Sequence, residues 1–196
     1  ISIIMVPAMF MGGTFSAMNI LGEKEDGTIL VNDVLPRSRL VYLFQKIAVG
    51  LLGGILSAGL TALVCIRPLR MIQLPGLTAV ILLSGFLASL AGAFTGRAAE
   101  GLMAGIGLLK LVMIGFIAPP ILFWLLLPEG SRGSGLACLV PSVPAFRGIM
   151  ELLEGRSFPV IYILLLSVHC VVWLAVYLWT EMAGEKKKRC KGGKLA

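Results

Sequence analysis

The chain has few charged residues: only 14% of its 196 residues are Asp, Glu, Lys or Arg, whereas 58% are hydrophobic. A soluble globular domain carries about 25% charged residues, so this composition excludes an ordinary soluble fold. All ten carboxylates lie outside the long apolar runs. Proton-driven membrane proteins usually keep an acidic residue or a histidine within the membrane, and only His169 is available for that role. We favour a neutral, hydrogen-bonded imidazole over a coupling role for this residue.

Motifs for catalysis and metal binding are also absent from the sequence. There is no GxxxxGK[ST] loop, so the chain cannot bind and hydrolyse ATP as P-loop proteins do. An enzyme embedded in the membrane would need convergent His, Asp, Glu or Cys residues, and His169 has no carboxylate near it. We therefore predict a chain without catalytic residues of its own. The cysteines lie in separate segments, without the spacing of a zinc site or a disulfide framework; they are Cys65, Cys138, Cys170 and Cys190.

The sequence instead contains long apolar runs. Five of these runs have no charged residue over at least about 18 positions, the length that a membrane helix needs. Backbone amides in lipid must be paired internally, and the alternating pattern of barrel strands is absent. We therefore predict an all-α, polytopic membrane helix bundle of about five transmembrane helices that occupies residues 1–182. The predicted spans are residues 1–22, 47–66, 72–95, 102–127 and 158–180.

Two connections between these spans carry patterns of their own. Residues 23–46 begin with a charged stretch, and apolar residues at helical spacing follow it until Pro36. This predicts a short helix that lies along the membrane interface. Residues 128–157 form the second connection, in which Pro141 precedes four apolar residues at i, i+3, i+4 and i+7. This spacing predicts a short amphipathic helix, outside the membrane or dipping into it. Its apolar residues are Phe146, Ile149, Met150 and Leu153.

The distribution of basic residues predicts which end of the chain is cytoplasmic. With the tail inside, the inner segments hold eleven Lys and Arg residues and the outer segments hold five. Basic residues favour the cytoplasmic side, so we expect a cytoplasmic C-terminus and a basic cytoplasmic tail at residues 183–196. Orientation and anionic lipid explain this tail better than nucleic acid does. Residue 1 would then lie outside, so an even-spanning parent with both ends inside would have lost one helix from its front.

The small residues within the spans have two possible roles, and so does one lysine. Three pairs of glycines four residues apart permit close helix approach, either at a subunit interface or inside one bundle. Lys110 interrupts the fourth span, where we expect its side chain to reach the inner surface or to pair with a neighbour. The glycine pairs are Gly50 and Gly54, Gly92 and Gly96, and Gly101 and Gly105.

The inner connection gives the chain a family resemblance. It begins Leu21-Gly22-Glu23-Lys24-Glu25-Asp26-Gly27-Thr28 and continues with Val34-Leu35-Pro36-Arg37-Ser38-Arg39 before Lys46 opens the next span. This order resembles the segment after the second helix of type 2 ATP-binding-cassette (ABC-2) exporter permeases. The stretch from Pro141 to Glu154 also resembles the short external helices before the last span of that family.

The resemblance implies a permease subunit that pairs with a second permease, as a homodimer or heterodimer, and binds two ABC ATPase subunits. ATP and magnesium would be held by these ATPases, with no cofactor in this chain. In the family, a short helix of the inner connection contacts the ATPase and transmits its closure. The family's first helix and the amphipathic helix before it are missing here. Carried over by position, the contact residues are Glu23, Glu25, Gly27, Thr28, Asp33, Pro36 and Arg37.

The expected function is therefore export of a hydrophobic or amphiphilic small molecule, such as a drug or a lipid, across a prokaryotic plasma membrane. Apolar, glycine-rich spans without charged lining residues suit such a substrate better than a charged polymer. A non-transporting scaffold or sensor subunit would share the same composition. A membrane-embedded enzyme is the less favoured alternative, because the residues that catalysis would need do not converge.

Overall fold

The structure is a computed structural model that describes residues 1–28, 39–66, 73–126, 132–155 and 160–192; residues 39–40, 132–134 and 181–192 are described by their backbone alone. Five of its helices are long and apolar enough to cross a membrane. These confirm the predicted all-α bundle of five spans. The long helices are α1 (Ser2–Glu25), α2 (Arg39–Cys65), α3 (Leu74–Ala98), α4 (Leu102–Leu126) and α7 (Val160–Gly192), and the short ones are α5 (Arg132–Ala137) and α6 (Ser142–Leu153).

The predicted span limits differ from the helices most at the first connection and at the end of α7, which continues to Gly192 rather than ending at residue 180. Helix α1 continues past residue 22 to Glu25, and α2 begins at Arg39 rather than at residue 47. The predicted limits exclude the charges of Glu23 and Lys46, but these two residues pair with each other across the two helices. Because paired charges are tolerated at a helix end near the membrane surface, the helices continue through them. Residues 29–38 of the predicted interfacial helix lie outside the described residues.

The centre of the bundle is a close contact of α1 with α2 and α3. A Cβ atom on Gly50 would lie 2.6 Å from the Gly12 carbonyl oxygen and 2.9 Å from Ser89 Oγ. Real Cβ atoms do not approach other atoms this closely, so the helices can pack here only through glycine. Gly54 faces Gly12 in the same way, and Gly92 faces α1 as well. These glycines therefore serve packing inside one bundle, which was one of the two alternatives.

Helices α4 and α7 lie at the periphery. In the apolar windows of α4 and α7, only 11% and 17% of residues are buried, against 61% in α3. Most of the surface of these two helices therefore remains for lipid or for a partner chain. Lys110 lies on the exposed face of α4. Because α4 begins at Leu102, this lysine lies about 12 Å along the helix axis from its start, which is compatible with the snorkelling that we expect.

The connection between α4 and α7 packs into the bundle through α6. In α6, Phe146 and Ile149 are buried in a cluster with Met5 of α1, Val80 of α3 and Leu166 of α7. Met150 and Leu153 are partly buried against the same cluster. The apolar face that the spacing predicts is therefore packed against the spans. Whether this helix lies outside the membrane or dips into it stays a prediction.

Candidate functional site: a polar cluster where α1, α2 and α3 meet

Polar side chains meet at the end of the bundle where α1 ends and α2 begins. We call them the polar cluster: Asn19, Glu23 and Lys24 of α1 with Tyr42 and Lys46 of α2. Asn19 and Glu23 are four residues apart, as are Tyr42 and Lys46, so each pair lies on one face of its helix. The two faces meet because α1 and α2 pack side by side. The sequence therefore aligns one polar pair against the other.

Glu23 and Lys46 are the centre of the polar cluster. Lys46 Nζ lies 2.5 Å from Glu23 Oε1 and also donates a hydrogen bond to Asn19 Oδ1. The Tyr42 hydroxyl donates to the other carboxylate oxygen of Glu23, at 2.7 Å, and the Lys46 ammonium lies 5.2 Å from the centre of the Tyr42 ring. The side chains of Lys46 and Glu23 are 10% and 28% exposed. A charge buried to this degree needs a partner, and each of the two supplies it to the other.

Lys24 joins α1 to the end of α3. Its ammonium donates hydrogen bonds of 2.8 Å to the Arg97 carbonyl and 2.6 Å to the Ala99 carbonyl. The last carbonyls of a helix have no partner within the helix and carry its negative dipole end, so a cation there is stabilising. The polar cluster thereby ties together three helix ends and the turn between α3 and α4.

The chain leaves α1 through a turn that requires glycine. Gly27 has φ +68°, a left-handed conformation that costs about 1–2 kcal/mol for residues with a Cβ atom. Thr28 Oγ1 then donates to the Glu23 carbonyl, at 3.2 Å. The exposed residues Glu25, Gly27 and Thr28 follow the polar cluster directly. Any force on this exit from α1 therefore acts next to the ion pair.

The contact residues implied by the resemblance divide into three groups. Glu23 is a member of the polar cluster, and Glu25, Gly27 and Thr28 form the exposed exit beside it. The rest lie outside the described residues: Asp33, Pro36 and Arg37. Asn19 and Tyr42 were missed by the sequence analysis. Their spacing of four residues from Glu23 and from Lys46 was the signal that could have identified them.

Hydrogen bonds hold α6 and the turn before it against the neighbouring helices. The Gln73 side-chain amide donates to the Leu152 carbonyl, at 2.7 Å. The His169 ring nitrogens lie 2.8 Å from the Leu165 carbonyl and 3.0 Å from the Leu139 carbonyl. His169 is thus hydrogen-bonded within the bundle through at least one of its ring nitrogens. Pro141 is buried and stands at the N-terminal cap of α6.

The sequence of this chain matches a known family of membrane proteins. A family model described as ABC-2 family transporter protein matches residues 1–179. The chain belongs to the ABC-2 transporter family. No curated protein and no solved structure matches it. The family consists of transporter permeases rather than enzymes, and its members typically work with an ATPase subunit. This ABC-2 permease is a multi-pass membrane protein, as its five apolar helices also indicate.

Proposed function

We propose that this ABC-2 permease is the membrane subunit of an ATP-driven exporter in a prokaryotic plasma membrane, with its C-terminus in the cytoplasm. It pairs with a second permease, identical or different, and ATP and magnesium bind to separate ATPase subunits. The substrate is a hydrophobic or amphiphilic small molecule. Family membership supports transport, and the positive-inside rule supports the orientation.

The observation that carries this proposal is the position of the polar cluster beside the exit of α1. Glu23, Lys24 and Lys46 connect the ends of α1, α2 and α3. A partner ATPase that pushes on the exposed residues after Glu23 therefore moves three helices together and does not bend one of them. Conformational changes in transporters are largely rigid-body movements of helix groups, and a tied set of helix ends suits such a movement.

The substrate class follows from the side chains of the spans. The described ion pair, Glu23 with Lys46, lies at the membrane edge. Outside the polar cluster, the middle of the described spans holds Lys110 and His169 but no Asp, Glu or Arg, and Lys110 is on the exposed face of α4. A path with so few charges suits an apolar or amphiphilic molecule.

The experiment uses Glu25, because it is exposed and beside the polar cluster without belonging to it. The permease is expressed with its partner ABC ATPase, and efflux of Hoechst 33342 or an NBD-labelled phospholipid is measured together with ATP turnover. We expect Glu25→Lys to lower permease-dependent ATP turnover and efflux about tenfold, as the loss of about 1.4 kcal/mol of contact energy would. Gly27→Pro should uncouple more strongly, because proline fixes φ near −65°.

Glu100→Lys is the matched control, since Glu100 is also an exposed acidic residue at the same end of the bundle. It should leave both activities unchanged. Membrane insertion is checked by the amount of permease that elutes as a single species in detergent. Unchanged efflux in Glu25→Lys and Gly27→Pro would contradict the coupling role. A chain that leaves ATP turnover unaffected in every variant would instead be a scaffold or sensor subunit.

A further inference from the structure

An apolar groove lies between α4 and α7, with α3 as its floor. Its volume is about 190 Å³. Four aromatic side chains contribute to its walls, and Phe94 and Tyr177 pack edge to face with 6.2 Å between ring centres. An apolar cavity of about 150 Å³ holds a benzene molecule, so this groove is large enough for a ring or for a segment of a hydrocarbon chain. Its aromatic residues are Phe94, Phe116, Trp173 and Tyr177.

The groove runs along the half of the membrane where α7 meets the basic tail. On α3 it extends from Leu87 to Thr95, close to the helix end at Ala98. Eight helical residues measure about 12 Å, and half of the hydrocarbon core measures about 15 Å. The groove therefore covers most of the depth of one leaflet. Phe94 and Trp173 are 45% and 46% exposed, so it opens sideways to the bilayer.

The walls of the groove favour a hydrocarbon chain over a helix as its occupant. Where helices of this protein approach each other closely, glycine lines the contact, as at Gly12 and Gly50. The groove is lined mainly by aromatic and branched side chains, with Ala91 as its smallest residue. Membrane helices associate through small residues that let their backbones approach, whereas a chain one methylene wide fits between large side chains. Water is excluded because almost no polar group faces the groove.

Charge at the open end of the groove selects the headgroup. Lys24 lies at the end of α3, and the Arg97 guanidinium is within electrostatic range of the Tyr177 hydroxyl. Helix α7 continues without a break to Gly192, and residues 181–192 contain five basic and two acidic positions. Basic residues next to a membrane helix attract anionic lipids. We infer that the groove between α4 and α7 binds one acyl chain of an anionic phospholipid from the leaflet that faces the basic tail.

The fluorescence of Trp173, which lies in the groove wall, reports whether a lipid chain occupies the groove. The protein has three tryptophans, so Trp124→Phe with Trp179→Phe leaves Trp173 as the only one. The full chain is placed in nanodiscs that contain increasing fractions of brominated phosphatidylglycerol or brominated phosphatidylcholine, and quenching of the Trp173 fluorescence is recorded. We expect half-maximal quenching at a roughly fivefold lower fraction of phosphatidylglycerol, the factor that one basic residue near the surface supplies.

Ala91→Leu fills the groove and should remove this preference, whereas Ala175→Leu adds the same bulk on the exposed face of α7 and should keep it. A protein in which Trp179 is the one remaining tryptophan reports on lipid at the exposed surface of the same helix. Ala91→Leu should leave the quenching of Trp179 unchanged. Equal quenching of Trp173 by both lipids would overturn the headgroup selection. Absence of quenching by either lipid would overturn acyl-chain binding in the groove. A crosslink between the Trp173 positions of two copies would show that a second copy of the chain occupies it.

Discussion

Helices α3 and α4 have equal length and nearly equal mean hydropathy, yet 61% of the apolar window of α3 is buried against 11% for α4. Both also contain glycine. In α3, Gly92 and Gly96 lie against the backbone of α1, whereas Gly107 and Gly115 of α4 have no other described atom near a Cβ position. Hydropathy thus determines that a segment enters the membrane, but the partner of each small residue determines whether it becomes core or periphery.

The largest loss of folding stability should come from one added methyl group at the contact between α1 and α3. A Cβ atom on Gly92 would lie 2.7 Å from Gly13 Cα, so the backbones must move apart. We expect Gly92→Ala to lower the free energy of unfolding by about 3 kcal/mol, at the upper end for overpacking. The measurement is unfolding by SDS titration in mixed micelles, followed by circular dichroism.

Gly115→Ala is the control for Gly92→Ala, because the exposed face of α4 has room for a methyl group. It should leave stability unchanged or raise it by about 0.5–1 kcal/mol, since alanine favours a helix over glycine. Equal losses in the two variants would mean that helix flexibility, and not the close contact, explains the glycines. The division between core and peripheral helices would then need another cause.

The number of helices was predictable from the sequence, whereas their ends and partners were not. Uncharged length is a sufficient signal for a span because lipid enforces a helix. The end of a span is a weaker signal, because Glu23 and Lys46 neutralise each other only once α1 and α2 are packed. The same applies to α6: its spacing predicts an apolar face, but the burial of Phe146 and Ile149 among residues of four spans depends on the tertiary fold.

The candidate site was predicted in part, for the same reason. The resemblance directed attention to Glu23 and the residues after it, but it could not say that Glu23 faces inward while Glu25 is exposed. This distinction depends on the rotation of α1 about its axis, which is fixed by the glycine contacts with α2 and α3. It also explains why Glu25 is a cleaner probe of ATPase contact than Glu23. Substitution of Glu23 would leave Lys46 without its carboxylate.

We expect an intermediate loss of folding stability when a hydrogen bond between the peripheral helix α7 and the turn before α6 is removed. His169 connects α7 to the carbonyl of Leu139, in the turn before α6. His169→Leu should lower the free energy of unfolding by about 0.5–1.5 kcal/mol, because the hydrogen bond to the Leu139 carbonyl is lost, and should speed hydrogen exchange in α6. Ser167→Ala is the control, since the Ser167 hydroxyl bonds only within α7, at 2.8 Å to the Ile163 carbonyl. An equal loss in both variants would rule out a special role of the tie to α6.

The smallest change in folding stability should come from substitution of Lys110, which lies on the exposed face of α4. If its ammonium only reaches the membrane surface, Lys110→Leu should change the free energy of unfolding by no more than about 0.5 kcal/mol, as at other surface sites. The variant should also keep the oligomeric state of the wild type, measured by crosslinking in nanodiscs. A weakened dimer would instead identify Lys110 as an ion-pair partner of a second chain. Helix α4 would then be a subunit interface, and its low burial would reflect an absent partner and not exposure to lipid.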